Sequence, residues 1–263
     1  MKIFSKTSIL LSLALALIGC GGGSSESTTP IESSTPTPPP AIKVESLAGI
    51  YIGKFATDGQ EFEVDGLVAP SGEVRFITTL DEQLMGQITI TDSGFSVDPL
   101  SSFISDGNLS DEYYASVFNT NGSATGTIDN DQLTGTSTIG GNTASFVMDK
   151  DNDLTDVGAS FDQLTGNYAS PDSLTSISFD IDGKINGLDD DGCVYSGAMT
   201  IPDANINIYE MNVIVENCEG GDGSYNGLAA VIPAGTIEDI DNKVVLFQVD
   251  NELIAITAAI LEN

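Results

Sequence analysis

The sequence predicts an all-β protein made of two tandem antiparallel domains, each a β-barrel or a β-sandwich, that follow an unfolded tether. Three observations lead to this prediction. Asp-Gly occurs six times and Asn-Gly three times, and these dipeptides supply the positive φ angles of tight hairpin turns. Short segments of alternating apolar and polar residues lie between them, and no window of a dozen residues carries the apolar stripe of a helix. Matching motifs also recur in the two halves of the chain, which indicates an internal duplication.

The first twenty residues carry the features of an export signal. Lys2 and Lys6 form a short basic region, and the apolar run over 9–18 is too short to span a bilayer. The run ends in Leu17-Ile18-Gly19-Cys20, which resembles the lipobox of bacterial lipoproteins. The resemblance implies cleavage of residues 1–19, attachment of diacylglycerol to the Cys20 sulfur, and acylation of the new N-terminus by a fatty acid such as palmitate.

Membrane location follows from the same resemblance. In this family an Asp directly after the cysteine favours retention in the inner membrane, and here Gly21 occupies that position. The resemblance therefore implies a lipid anchor in the outer membrane of a Gram-negative cell, facing either the periplasm or the surface. Several acyl chains together form an essentially permanent anchor, since each buried methylene contributes roughly 0.8 kcal/mol.

Residues 20–46 form the predicted tether. The segment is rich in Gly, Ser, Thr and Pro and has no apolar periodicity. Nothing in it can offset the entropy of ordering the chain, so we expect it to stay unfolded.

Charge and composition exclude several function classes. Lys plus Arg number 8 and Asp plus Glu number 39, which gives a net charge of −31. A nucleic-acid partner is not expected, because such binding requires a basic surface. The chain contains no His, which removes the Ser-His-Asp triad and all His-ligated metal sites.

Two β domains are predicted over 47–150 and 164–263, with an acidic linker over 151–163. Segment 47–51 matches 164–168 at an offset of 117, and two further pairs of residues recur at smaller offsets. Such a falling series is expected of two copies whose loops differ in length. The recurring pairs are Gly72 and Gly86 with Gly183 and Gly197, and Gly126 and Phe146 with Gly227 and Phe247.

Each copy opens with Gly-x-Tyr, at Gly49-Ile50-Tyr51 and Gly166-Asn167-Tyr168. This motif resembles the Gly-x-Trp that opens lipocalin-like (calycin) barrels, with Tyr in place of Trp. The length of each copy predicts about eight strands. The strongest helical signal is a single turn over 98–104, with Asp98 as the N-cap and Pro99 at the first position.

The cysteines predict one disulfide. With Cys20 assigned to the lipid, Cys193 and Cys218 remain, and an exported protein folds in an oxidising compartment. A catalytic thiolate would require a nearby His, which the chain lacks.

The sequence contains no recognisable set of catalytic residues. We expect no cofactor, and the alternative is calcium. Segment 149–153 has the alternating oxygen ligands that open an EF-hand loop, but Leu154 and Ser160 stand where Gly and Glu are required. We interpret the acidic segments as solvated turns. An irregular Ca²⁺ site is the alternative, with Asp149, Asp151, Asp153, Asp189, Asp190 and Asp191 as candidate ligands.

The sequence therefore predicts a non-catalytic module that binds a protein or a small molecule at the cell envelope. One alternative is a carboxylate-dependent, glycosidase-like hydrolase. The other is a calcium-dependent adhesion or structural protein. A deep apolar cavity inside a barrel would favour a lipocalin-like carrier, whereas a filled interior would favour interaction through the surface.

Overall fold

The computed structural model describes residues 42–80, 82–104, 114–237 and 240–263, with the backbone alone over 114–120. Signal peptide, lipobox, Cys20 and the tether as far as residue 41 lie outside the described residues. Among the described residues, no helix has the length and apolar character required to cross a membrane. A 3-10 turn over Val44–Leu47 precedes the first strand.

Barrel 1 is built from eight strands in an antiparallel meander. Each strand pairs with the next, and β8 returns to pair with β1, from Tyr51 opposite Lys150 to Ala56 opposite Ser145. The sheet is thus a closed barrel. Its strands are β1 (Gly49–Thr57), β2 (Gln60–Val68), β3 (Glu73–Thr78), β4 (Gln83–Thr91), β5 (Gly94–Ile104), β6 (Tyr114–Asp129), β7 (Gln132–Ile139) and β8 (Asn142–Lys150).

Barrel 2 repeats this order and is closed by the pairing of β16 with β9. Two short helices, α1 (Asn152–Thr155) and α2 (Phe161–Leu164), lie in the linker between the barrels. The predicted all-β class with two tandem antiparallel domains is confirmed, and both domains are barrels. The strands are β9 (Gly166–Ala169), β10 (Thr175–Phe179), β11 (Lys184–Asp189), β12 (Val194–Thr200), β13 (Tyr209–Glu216), β14 (Gly223–Ile232), β15 (Val244–Asp250) and β16 (Ile254–Glu262).

The interior of each barrel is filled by side chains. Alternate residues of every strand point inward, and large apolar side chains dominate both interiors. The lumen of barrel 1 keeps an apolar cavity of only about 30 Å³, lined by residues that include Phe76, Leu84 and Phe146. That volume has room for about one or two water molecules.

The two barrels repeat specific hydrogen bonds as well as strand order. The Tyr51 hydroxyl donates to the Leu47 carbonyl (2.9 Å), and the Tyr168 hydroxyl donates to the Leu164 carbonyl (2.8 Å). Burial raises the pKa of both phenols. The Ile88 and Met199 amides donate to the carbonyls of residues 72 and 183, both at 2.8 Å. These equivalences follow the offsets 117 and 111 that the sequence shows.

In the third recurring pair, only the glycine occupies corresponding strands in the two barrels. Gly126 and Gly227 occupy the corresponding strands β6 and β14, but Phe146 lies in β8 whereas Phe247 lies in β15. Both phenylalanine rings point into their barrels. The similar spacing from glycine to phenylalanine therefore reflects core residues of two different strands.

Several Asp-Gly and Asn-Gly pairs lie within strands rather than in turns. Asp58-Gly59, Asp182-Gly183 and Asp191-Gly192 form tight connections, as predicted. Gly66 lies within β2, where the Phe76 ring fills the space that a Cβ would need. The glycines of the three Asn-Gly pairs also lie in strands, against carbonyl groups of a neighbouring strand: Gly122, Gly187 and Gly227. Glycine here permits close backbone approach.

The predicted helical turn over 98–104 is wrong, because this segment belongs to β5. The β5–β6 register shifts between Val97 and Leu100, which returns Leu100 to the core of barrel 1. Phe103 packs instead in a separate cluster with Met85 and Ala255. A bulged strand therefore produced the spacing that resembles one helical turn.

Contacts between the barrels join β2 to β14, β3 to β15 and β4 to β16. Gln83 donates to the Ala255 carbonyl (3.2 Å) and accepts from the Thr257 hydroxyl (2.6 Å). β16 also pairs with the first residues of β6, so that one sheet runs through both barrels. The linker adds a connection, since the Thr155 hydroxyl accepts from the Ile50 amide and its carbonyl accepts from the Asn207 amide.

Candidate functional site

A cavity lies at the mouth of barrel 1, at the end that carries the β1–β2 and β7–β8 connections. Its volume is about 610 Å³. We call it the mouth cavity. Its apolar lining comprises Phe55, Leu84, Ile104, Ile139 and Ala144, and its polar lining comprises Thr57, Asp58, Glu82, Ser137, Asn142 and Thr143.

Hydrogen bonds fix part of the polar lining. The Ser102 hydroxyl, which is fully buried, donates to a Glu82 carboxylate oxygen at 2.6 Å. The Thr57 hydroxyl donates to the Thr143 carbonyl (3.2 Å) and joins the two connections that flank the cavity. The lining thus combines carboxylate, hydroxyl and amide groups with apolar side chains, and none of the described lining residues is basic.

The corresponding end of barrel 2 is built differently. Cys193 and Cys218 form a disulfide there, which confirms the predicted pairing. Cys218 and Tyr195 pack against the core of barrel 2. The two copies therefore differ at equivalent ends, with a cavity in barrel 1 and a disulfide against the core in barrel 2.

Asp189 organises this disulfide end. One of its carboxylate oxygens accepts from the amides of Asp191 (3.1 Å) and Cys193 (2.9 Å), and the other accepts from the Tyr195 hydroxyl (2.7 Å). Its carboxylate lies within 4.8 Å of both sulfur atoms, but neither sulfur is a thiolate. Asp190 and Asp191 are exposed at the tip of the hairpin. Asp189 thus holds the turn and Tyr195 through three hydrogen bonds.

The remaining calcium candidates occupy different local structures. Asp149 is in β8 and accepts from the Gln132 amide at 2.7 Å. Asp151 is the N-cap of α1, where it accepts from the Leu154 amide at 3.0 Å, and Asp153 is exposed in the same turn. Within the described ranges, no three of these carboxylates form a cluster with ligand atoms closer than 4.8 Å.

Asp65 is a carboxyl that the sequence analysis did not single out. It lies on the outer face of β2 between Ile52 and Ile77 of the paired strands. Burial, and secondarily the negative charge of Glu63, raises the pKa of Asp65 to about 7. A carboxyl with this pKa could act in proton transfer near neutral pH. Asp65 does not line the mouth cavity.

The comparisons with known proteins give no relative. No protein-family model, no curated protein and no solved structure matches the chain. The likeness of the Gly-x-Tyr openings to lipocalin-like barrels stays a prediction.

Sequence reasoning missed the residues of the mouth cavity. Glu82 and Ser137 have no distinctive motif around them, because their strands contribute to the cavity only after the barrel closes. The loop-length differences between the copies were the one available signal, since they indicated that the connections had diverged.

Proposed function

We propose that this chain is a lipid-anchored lipoprotein of the outer membrane whose two barrels form a non-catalytic binding module. The mouth cavity of barrel 1 is its ligand site. One observation carries this proposal: the open mouth of about 610 Å³ stands above a lumen that retains only about 30 Å³.

The dimensions favour a ligand held at the mouth rather than inside the barrel. Pockets for small molecules measure roughly 300–1,000 Å³ and combine apolar walls with a few polar groups. The mouth cavity has this composition, with Phe55 and Leu84 among its apolar residues and Glu82 and Ser137 among its polar ones. A deep carrier lumen is not available, because the side chains of barrel 1 fill it.

Ligand binding can be tested with the neutral fluorescent probe Nile red and two neighbouring variants. Ser137 lines the mouth cavity and is buried, whereas Thr136, the preceding residue of β7, is exposed on the outer face. Ser137→Leu should weaken probe binding about tenfold. Thr136→Leu should leave binding unchanged. Equal binding by both variants and the parent chain would remove the mouth cavity as the ligand site.

The lipid anchor rests on the lipobox residues and has its own test. Cys20→Ser should abolish labelling by radioactive palmitate and block lipoprotein-type cleavage. Undiminished labelling of this variant would contradict the anchor and the membrane location together.

Asp65 supports a second candidate function, a carboxylate-dependent hydrolase. Its pKa is about 7, and Glu63 supplies a second carboxyl nearby on the same strand. Panels of glycoside, ester and peptide substrates test this alternative, with and without calcium. Turnover that disappears in Asp65→Asn with the fold retained would replace the binding proposal, and turnover or binding that requires calcium would favour the adhesion alternative.

A further inference from the structure

A second cavity lies where the two barrels meet. Its volume is about 330 Å³. We call it the seam groove. Barrel 1 contributes Met85, Pro99, Ser101, Phe103 and Asn121, and barrel 2 contributes Asp250 and Glu252. It shares no lining residue with the mouth cavity, so the inference drawn from it does not depend on the proposed ligand site.

The floor of the seam groove is apolar and well packed. Met85 and Phe103 are buried and form a cluster with Ala255 of β16. On the barrel 1 side, the Ser101 hydroxyl donates to the Asn121 side-chain oxygen at 3.3 Å. The groove thus combines a hydrocarbon and thioether floor with a polar uncharged wall.

The opposite wall carries excess negative charge. Arg75 forms ion pairs with Asp250 (2.8 Å) and with Glu73 (2.6 Å), and its guanidinium also donates to the Met85 sulfur (3.2 Å). Glu252 is the second acidic residue of this wall, and its amide donates to the second Asp250 carboxylate oxygen at 2.9 Å. Arg75 is the sole cation that forms an ion pair with this group in the part of the chain that the structure describes. Arg75 thus pairs with one of the two carboxylates that line the groove, and Glu252 adds a negative charge that forms no ion pair among the described residues.

This charge distribution selects among ligand classes. A cation is attracted to the wall, and the attraction is stronger than in bulk water because part of the surroundings is protein. An anion is repelled. A divalent metal ion would require six or more oxygen ligands, which a floor of Met85, Pro99 and Phe103 does not supply.

We propose that the seam groove binds a small organic cation, an ammonium group carried on an apolar body. The ammonium group lies against Glu252 and Asp250, and the apolar body covers Met85 and Pro99. Leu253, which follows Glu252 at the hairpin tip, is 70% exposed. Because the ligand contacts both barrels, its binding also stabilises their contact.

The test compares phenethylammonium with 2-phenylethanol, a neutral molecule of nearly the same size, by calorimetric titration of the full chain. The neutral compound should bind at least about tenfold more weakly. Glu252→Gln should weaken phenethylammonium binding about fivefold. Glu216→Gln, which removes the same charge from an exposed position on β13, should leave it unchanged. Added salt should weaken binding, since part of the attraction is electrostatic.

A second variant keeps the test decisive if Glu252→Gln does not fold. Ser101→Leu fills the seam groove from barrel 1 and should abolish binding of the ammonium probe. Absence of phenethylammonium binding, or equal binding of the two compounds, would overturn the inference. Binding that survives Ser101→Leu but is lost in Ser137→Leu would place the cation in the mouth cavity, which overturns the seam site and leaves the proposed function standing.

Discussion

The Asp65→Asn substitution is expected to stabilise the protein at neutral pH. Asp65 lies between two isoleucines on the outer face of β2, where burial and the Glu63 charge raise its pKa from 3.8 to about 7. The native state therefore disfavours the ionised carboxylate relative to the unfolded chain. Asparagine has nearly the same shape and carries no charge, so it removes this unfavourable ionisation.

The pKa difference sets the size of the effect. A tenfold change in an ionisation constant corresponds to about 1.4 kcal/mol, so the values 3.8 and about 7 give a ceiling of about 4 kcal/mol. Asp65 keeps part of its surface in water, which screens the charge, and we therefore expect about 2 kcal/mol at pH 7. For a chain of this length that gain raises Tm by about 4–8 °C.

The pH dependence of the stability difference follows from the linkage between proton binding and folding. Because the folded pKa is the higher one, the contribution of Asp65 to stability is complete below pH 3.8 and is lost as the pH rises through about 7. The stability difference between Asp65→Asn and the parent chain should thus grow between pH 4 and pH 7.

Urea unfolding at several pH values measures this difference. Asp92→Asn is the matched control, because Asp92 is an exposed residue of the β4–β5 turn and loses the same charge. Equal gains in the two variants would assign the effect to the net negative charge of the protein. A loss of stability in Asp65→Asn would show that the carboxylate makes favourable interactions, which refutes the reasoning.

Three further predictions concern the scaffold. Tyr51→Phe and Tyr168→Phe should each lower the free energy of unfolding by about 1–2 kcal/mol in urea titrations, because each loses a buried hydrogen bond to the carbonyl four residues earlier. Tyr168→Phe also loses the hydrogen bond with Lys243, so its loss should be the larger one; an unchanged free energy of unfolding in either variant would contradict the contribution of the carbonyl bond. Replacing Cys193 and Cys218 by Ala should cost about 3 kcal/mol by the same assay, since the disulfide closes a loop of 25 residues; two free thiols in the denatured, unreduced protein would contradict the bridge. Asn207→Ala should cost about 3 kcal/mol, because this buried amide makes three hydrogen bonds to backbone groups of the linker and β14; a thermal melt unchanged from the parent would show that those bonds contribute nothing.

Sequence alone predicted those features that depend on local conformational preference or on the number of residues of one type. Alternating segments and the absence of a helical stripe predicted the β class. The recurrence of Gly49-x-Tyr51 at Gly166-x-Tyr168 predicted the repeat, and each Tyr makes the same hydrogen bond in its barrel. The cysteine count predicted the disulfide, because assigning Cys20 to the lipobox leaves Cys193 and Cys218 as one pair.

Tertiary structure decided everything that depends on strand register and closure. Asp65-Gly66 reads as a turn in the sequence, yet Gly66 lies within a strand because the Phe76 ring needs its space. Spacing alone could not assign Phe146 and Phe247 to their strands, since loop lengths shift between the copies.

The candidate sites show the same division. Residues of the mouth cavity come from β1, β4, β5, β7, β8 and their connections, and those of the seam groove come from two barrels. The pKa of Asp65 likewise depends on neighbours contributed by other strands. Residue type and local pattern determine which backbone conformation each segment prefers, but burial, charge environment and cavity shape arise only when distant segments pack together, because each is a property of the space between them.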